Sequence, residues 1–434
     1  MQRSADAEVK PPSFREAVGA FARIGVLSFG GPTAQIALMH RVLVDEKKWL
    51  NESQYLNALS FCMLLPGPEA MQLATYAGWR LHGLKGGLAA GLLFVLPGAV
   101  IVLALSMIYA AFGNVPLVEA IFLGVKAAVV VIVIEALLRI SKRALKLPEH
   151  WIIAVLAFVG IFFFTLPFPL IVAAAALFGF LRARDDGLGA GVTLGSAHAS
   201  DMLKTVALWL AVWIAPLALI AAAFGSEHVL AQLGWFFSKL AVVTFGGAYA
   251  VLAYMGQDVV TRYGWLEAGQ MMDGLGLAET TPGPLILVTE FVGYLAAYRH
   301  GGGAPVLMGL LGAFTALWAT FAPCFLWIFA GAPYIEWING QPKLKGALSA
   351  ITAAVVGVIL NLAVWFALHV FFGTVTSTEA GPLKLWLPDL ATLNWKVIAL
   401  AALSGWMLLA KQWSIPAVLA VSAALAVAMS LTPF

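Results

Sequence analysis

Charge is scarce in this sequence. Asp, Glu, Lys and Arg together make up 11% of its 434 residues, less than half of the roughly 25% usual in soluble globular chains. That shortage excludes an ordinary water-soluble fold. Sulfur is scarcer still: the two cysteines, Cys62 and Cys324, both sit inside apolar stretches, so neither a disulfide framework nor a metal cluster is signalled. No basic run accompanies the net charge of +3, which argues against a nucleic-acid surface. The opening MQRSADAEVKPPSFREAV lacks an apolar core and so does not read as a cleaved signal peptide. Walker-type lysine loops, HExxH, GxSxG and a GxGxxG that opens a helix are all missing. Neither an enzyme nor a cofactor or metal is therefore expected, and no ATP-driven motor.

What is abundant is apolar surface, 62% of residues at a mean hydropathy of +0.92. The apolar blocks are helix-length, unlike the roughly ten-residue alternating segments of an outer-membrane barrel. The expectation is an all-α polytopic membrane protein with about thirteen membrane elements, near 15–43, 52–82, 86–112, 116–140, 149–165, 167–182, 203–224, 229–260, 266–298, 304–331, 346–372, 393–411 and 415–433. Lys and Arg concentrate on one side of such a scheme, with RISKRALKLPEH the richest loop. This places the N-terminus in the cytoplasm and the C-terminus in the periplasm. Tryptophans, Trp49 and Trp265 among them, read as interfacial anchors.

The chain also repeats itself. FGG at Phe29–Gly31 recurs 216 residues later as Phe245–Gly247, Trp49 as Trp265, Gln54 as Gln270, and PGP at 66–68 as 282–284. After an insertion the offset becomes 226, where Pro97 matches Pro323 and Glu135 falls on Asn361. The domain reading is a tail over 1–13, a first repeat over 14–182, a linker with one connecting helix over 183–227 and a second repeat over 228–434. Six elements per half plus one connecting helix invert the second half, an arrangement found in secondary transporters with a site at the repeat interface.

A Gly/Pro break inside an apolar element frees backbone groups, which the membrane tolerates where protein or a water-filled cavity covers them. The broken helices at the FGG and PGP motifs therefore mark a cavity, and each helix that restarts there offers free N–H groups to an anion. The candidate anion site comprises Phe29, Gly30, Gly31, Thr33 and Gln35; Phe245, Gly246 and Gly247; Pro66, Gly67 and Pro68; and Thr281, Pro282 and Gly283. Three cations fall inside apolar elements, Arg23, Lys126 and Lys239, and Arg23 and Lys239 are equivalent at the repeat offset. A buried cation is costly enough to imply a use, and these three are the expected charge partners of the anion. Glu69, Glu290, Glu135 and Asn361 are the candidates for coupling or charge balance, whereas Asp273 and Glu279 read as cavity-mouth or solvated groups.

The long segment from SFGGPTAQIALMHRV through LLPGPEAMQ to GLKGGLAAGLLFVLPGA, with VTFGGAYAVLAYMGQDVVTRYGWL and LAETTPGPLILVTEFVGY in the second half, resembles the two-domain chromate ion transporters. The resemblance implies a secondary transporter that exports chromate, a tetrahedral oxyanion, across the bacterial inner membrane by alternating access, and confers chromate resistance. The proton gradient or the membrane potential would drive it, with sulfate as a possible competitor, the lipid bilayer as its medium and a homodimer as the assembly. A sulfate or other anion transporter, or an anion-selective channel, is the alternative on the same framework.

Overall fold

The computed structural model describes residues 12–113, 115–183, 199–245 and 248–431. The chain opens with α1 (Phe14–Leu27), α2 (Gly31–His40), α3 (Glu52–Leu64), α4 (Glu69–Phe112), α5 (Pro116–Ala144), α6 (Pro148–Phe162) and α7 (Phe168–Arg182). A connecting α8 (Ala199–Phe224) leads to α9 (Val229–Val243), α10 (Ala248–Gln257), α11 (Ala268–Thr280), α12 (Val288–His300), α13 (Pro305–Gly331), the short α14 (Ile335–Asn339) and α15 (Pro342–Phe371). A β-hairpin follows, β1 (Val375–Ala380) and β2 (Leu383–Pro388), then α16 (Trp395–Gly405) and α17 (Ile415–Leu431). The hairpin departs from the all-helical expectation. Its polar, exposed strand TSTEA and a turn at Gly381, φ +63°, suit a two-stranded ribbon, which rests on the helices through Trp386 against His369 and through the Lys384 N–H on Phe163 O.

Local signals repeat with the sequence. Asn51 and Gln54 close a capping box at the start of α3, and Glu267 and Gln270 close the equivalent one at α11, satisfying first-turn N–H groups. α2 runs into a π turn at Arg41–Glu46 and α10 into one at Asp258–Arg262. At each, a tryptophan N–H reaches back to the turn, Trp49 to Leu43 O and Trp265 to Val259 O. Trp265 is buried and stacked on Tyr263 at 4.2 Å, so it anchors a protein core rather than a bilayer interface. Gly30 (φ +84°) and Gly67 (φ +113°) take left-handed backbone at the two breaks of the first half, where a Cβ would be strained.

The broken elements turn back on themselves. Arg23 of α1 reaches Glu46 at the far end of α2's π turn, and in the second half Phe236 of α9 meets Tyr254, Tyr263 and Trp265 beyond the break. Phe61 of α3 meets Tyr76 of α4, and Gly274 of α11 faces Phe291 of α12. Segments 15–43, 52–82 and 266–298 thus turn back on themselves as helical hairpins near the first FGG and the two PGP motifs, and the described part of 229–260 does the same. Among the described residues, five helices are long and apolar enough to cross a membrane: Glu69–Phe112, Pro116–Ala144, Ser200–Phe224, Pro305–Tyr334 and Pro342–Phe371. α6, α7, α16 with its π extension, and α17 are shorter apolar helices.

Small residues let these helices approach, the usual device where lipid removes any hydrophobic drive between them. α4 folds on itself at His82 and Gly83, with Gly78 against Gly86 and Ala90. α12 and α13 make the same contact through Gly293, Gly312 and Ala316. The two halves interlock: α6 and α7 pack on α15, α16 and α17 pack on α5, and α5 packs on α15. The C-terminal end of α5 lies beside the N-terminal end of α15, where Arg143 and Ala144 share a small cavity with Lys345, Leu348 and Thr352. These two equivalent helices therefore run in opposite directions.

The tips meet and exchange hydrogen bonds. The Gly67 N–H donates to Thr244 O at 2.9 Å, and the Gly283 N–H donates to Ser28 O at 2.8 Å. Each PGP glycine is thus bonded to the residue before the opposite half's FGG. Ser28 and Thr244 in turn donate their hydroxyls to Ile24 O and Leu240 O, one turn back in their helices. Each PGP turn also rests on the proline-bearing helix of the other half, Gly283 on Gly98 and Gly67 on Cys324.

Candidate functional site

A cavity of about 420 Å³ opens beside this crossing, on the side of the α5 C-terminus. Its floor is made of helix starts. Pro32 and Thr33 begin α2, Gly67 and Glu69 begin α4, and Ala248 and Tyr249 begin α10. Neither α2 nor α4 has a side-chain cap, so their first-turn N–H groups remain available to a ligand. Cys62, Met63 and Leu65 of α3 and its exit, with Leu348 and Thr352 of α15, complete an apolar rim.

One wall is cationic. Arg139, Lys142, Arg143 and Lys146 all line the cavity, and Glu69 is the carboxylate facing them. Their spacing of three, one and three residues puts them on one face of α5 and its exit. In the sequence these four belong to the RISKRALKLPEH loop that marks topology, and their helical spacing is the signal that singles them out as ligands. Arg139 also pairs with Glu135 one turn back at 3.5 Å.

Below the floor, the Tyr249 hydroxyl donates to Glu279 Oε1 at 2.7 Å, and Glu279 is buried. Arg139 and Glu135 are the further charges within electrostatic reach of this pair. Six residues earlier on α11, Asp273 accepts from Tyr109 at 2.7 Å and pairs with Lys126 at 3.4 Å. Neither Asp273 nor Glu279 is solvated, contrary to the expectation from sequence. Each is held by a tyrosine that the sequence order does not bring near.

The expected site residues divide into those the fold gathers and those it does not. Thr33, Gly67 and Glu69 line the cavity, Gly30 and Gly31 form the break that starts α2, and Pro66 and Pro68 flank the Gly67 tip. Phe29 projects outward, 43% exposed, and Phe245 is half-buried before α10. Gly246 and Gly247 lie outside the described residues. Gln35 is buried and donates to Gly283 O at 2.6 Å and Ser28 O at 3.3 Å, which ties the crossing together instead of facing the cavity. Thr281, Pro282 and Gly283 belong to the same crossing, packed against Gly98 and Ser28.

The two equivalent cations are elsewhere. Arg23 is exposed and paired with Glu46 at 3.3 Å, and Lys239 sits 5.7 Å above the Tyr254 ring, near Asp258. Neither lines the cavity. Glu290 is 1% exposed on α12, with Oε2 lacking a partner. Asn361 bonds to Gln257 at a separate cavity of about 300 Å³ that also includes Asp258, Arg262, Glu379 and Lys384.

The sequence model of one family, described as chromate transporter, matches residues 15–180 and 231–428. The chain is 33% identical over 362 residues to a chromate transport protein of Cupriavidus metallidurans, covering 82% of this chain and 83% of the relative. It is 32% identical over 418 residues to a chromate transport protein of Pseudomonas aeruginosa, covering 93% and 95%. An uncharacterized transporter of Methanocaldococcus jannaschii is 28% identical over 361 residues, covering 83% and 86%. No solved structure matches.

Proposed function

The chain belongs to the chromate transporter family, and from that membership we propose that it exports chromate from the cytoplasm as a secondary transporter working by alternating access. The observation that carries this reading is the cavity whose floor is three helix starts and whose wall is Arg139, Lys142, Arg143 and Lys146. A tetrahedral dianion suits that arrangement. Helix N-termini contribute roughly 0.3–1 kcal/mol each, up to about 2 when partly buried. Each charged hydrogen bond to a guanidinium adds about 1.5–3 kcal/mol, and the fork of Arg139 or Arg143 can take two oxygens at once.

The halves are proposed to be inverted repeats. Supporting this, α5 and α15 run in opposite directions and the tip-to-tip hydrogen bonds exchange between halves. With the four broken segments as re-entrant hairpins, the crossings are the second segment of α4, α5, α6, α7, α8, α13, α15, α16 and α17, an odd number that keeps the termini on opposite sides. Arg41, Lys47, Lys48, Lys142, Arg143, Lys146, Arg182, Lys204, Lys343 and Lys345 then share the side on which the cavity opens, while Arg262, Arg299, Lys384 and Lys396 face the other. That asymmetry supports a cytoplasmic cavity side, from which the cavity would load inside the cell.

For coupling, the Tyr249–Glu279 pair under the floor is the proposed proton carrier. A proton bound there offsets part of the charge of the arriving dianion, and its release resets the site. Glu69, on the wall, balances the cations when the anion has left. Sulfate has the same charge and shape as chromate and is the second reading of this cavity.

The test is accumulation of radiolabelled chromate in inverted membrane vesicles with and without the protein, with excess sulfate or a protonophore added in separate arms. Protein-dependent accumulation is expected, reduced by the protonophore. Its absence from vesicles containing folded protein would overturn chromate as the substrate. Accumulation that follows the anion gradient alone would point to a channel.

A further inference from the structure

At the place that the repeat offset matches to Thr352 of the cavity of about 420 Å³ stands Lys126, and it belongs to a buried ionic cluster. At the repeat offsets, Lys126 corresponds to Thr352 and Asp273 to Asn57. Thr352 lines the open cavity. Lys126 on α5 instead reaches Asp273 of α11 at 3.4 Å, and the Tyr109 hydroxyl of α4 donates to the same Asp273 oxygen at 2.7 Å. The Asp273 side chain is 3% exposed and that of Lys126 is 26% exposed. The cluster thus has its carboxylate sealed inside and its cation partly exposed, roughly 20 Å before Arg139 along α5 at the helical rise per residue.

Its composition suits a latch. It joins α4 and α5 of the first half to α11 of the second, so the halves cannot separate on this side while it holds. A buried pair whose partner is removed costs several kcal/mol, which keeps the latch shut unless something replaces the carboxylate at Lys126. A departing oxyanion can do that. Asp273 Oδ1 is buried without a partner, so the carboxylate is only half satisfied in the closed state and is correspondingly easier to release.

We propose that Lys126, Asp273 and Tyr109 form the outer gate of the transport path, and that on opening Lys126 passes from Asp273 to the leaving oxyanion, as the exit-side anion site. This rests on the alternating-access reading above. It makes Lys126 a ligand of the exit step and Asp273 and Tyr109 positioning residues.

The experiment uses the full chain in membranes with Cys62→Ala and Cys324→Ala, and two reporters. Leu277→Cys lies one turn deeper than Asp273 on the same face of α11, and Thr33→Cys lies in the open cavity. An impermeant thiol reagent is applied from the outer side for the first and the cytoplasmic side for the second. Asp273→Asn should raise outer labelling and lower inner labelling, the two factors multiplying to roughly tenfold, the shift in the inward–outward equilibrium that about 1.4 kcal/mol produces. The charge-swapped pair Lys126→Asp with Asp273→Lys should return both rates toward the parent. Unchanged rates in Asp273→Asn, or no recovery in the swap, would overturn the gate.

An unfolded protein raises both rates together. If Asp273→Asn does so, Tyr109→Phe decides: opposed shifts support the gate and unchanged rates overturn it. The labelling needs no chromate, so opposed shifts in a protein that accumulates no chromate would remove the substrate reading alone. Chromate export with unmoved labelling would remove the gate alone.

Discussion

Replacing Gly98 with alanine should damage this protein although alanine is the better helix former. Gly98 lies inside α4 just after Pro97, and a Cβ there would stand 2.6 Å from Leu287 Cδ1 and collide with the carbonyl oxygen of Pro282. The leucine can turn away, but the carbonyl is backbone of the second PGP turn, whose next residue donates to Ser28 at 2.8 Å. Helix propensity favours the change by about 0.8–1 kcal/mol, while overpacking of a close-packed contact costs typically about 1–3 kcal/mol. Collision with backbone belongs at the upper end, so a net loss of about 1–2 kcal/mol is expected. Gly19→Ala is the control, a helical glycine with open space where its Cβ would go, and it should be neutral or gain stability. The assay is reversible unfolding of purified protein in mixed detergent micelles, the three proteins side by side. Adding Leu287→Ala to Gly98→Ala should not restore stability, because it leaves the carbonyl contact in place. If Gly98→Ala matched Gly19→Ala in stability, the interlocked crossing of the two halves would be refuted.

Gln35→Leu should cost about 1–3 kcal/mol in the same assay, because Gly283 O loses its side-chain donor in a buried place while Ser28 O keeps only the Gly283 N–H; a neutral result would show the crossing does not depend on it. Tyr249→Phe removes the donor to Glu279 and should leave chromate binding within about twofold while abolishing the response of uptake to a pH gradient; retained pH response would exclude this pair from coupling. Cysteines at Leu145 and Thr378 should be labelled from opposite faces of the membrane, Leu145 from the cytoplasm. Labelling of both from one face would contradict the inverted topology.

Much of this was readable in the sequence, because the features that carry it are strong and local. The FGG and PGP breaks and the 216-residue offset located the hairpin tips and matched α3 to α11. Whether a broken apolar segment crosses or turns back was not readable, since both give the same hydropathy; only partners distant in sequence, such as Glu46 for Arg23, decide it. The matched cations Arg23 and Lys239 misled for a related reason. Repetition implied a shared burial, yet the hairpin brings Arg23 to an exposed ion pair. The cations at the cavity stood in a stretch already explained by topology, and their common face went unused. Asp273 and Glu279 were hidden because their tyrosines, Tyr109 and Tyr249, come from other elements, 164 and 30 residues away. The β-hairpin lies between apolar blocks, and a two-stranded ribbon of six-residue strands carries no helix-length hydropathy signal.

The central claim is that the cationic cavity holds the oxyanion, and equilibrium binding of radiolabelled chromate to the purified protein tests it most directly. Arg143→Gln should weaken binding by roughly 10- to 150-fold, the equivalent of losing about 1.5–3 kcal/mol of charged hydrogen bonding. Arg182→Gln, whose partner Glu149 lies away from the cavity, should bind as the parent does. Equal chromate affinity in the Arg143 variant and the parent would contradict the assignment of this cavity.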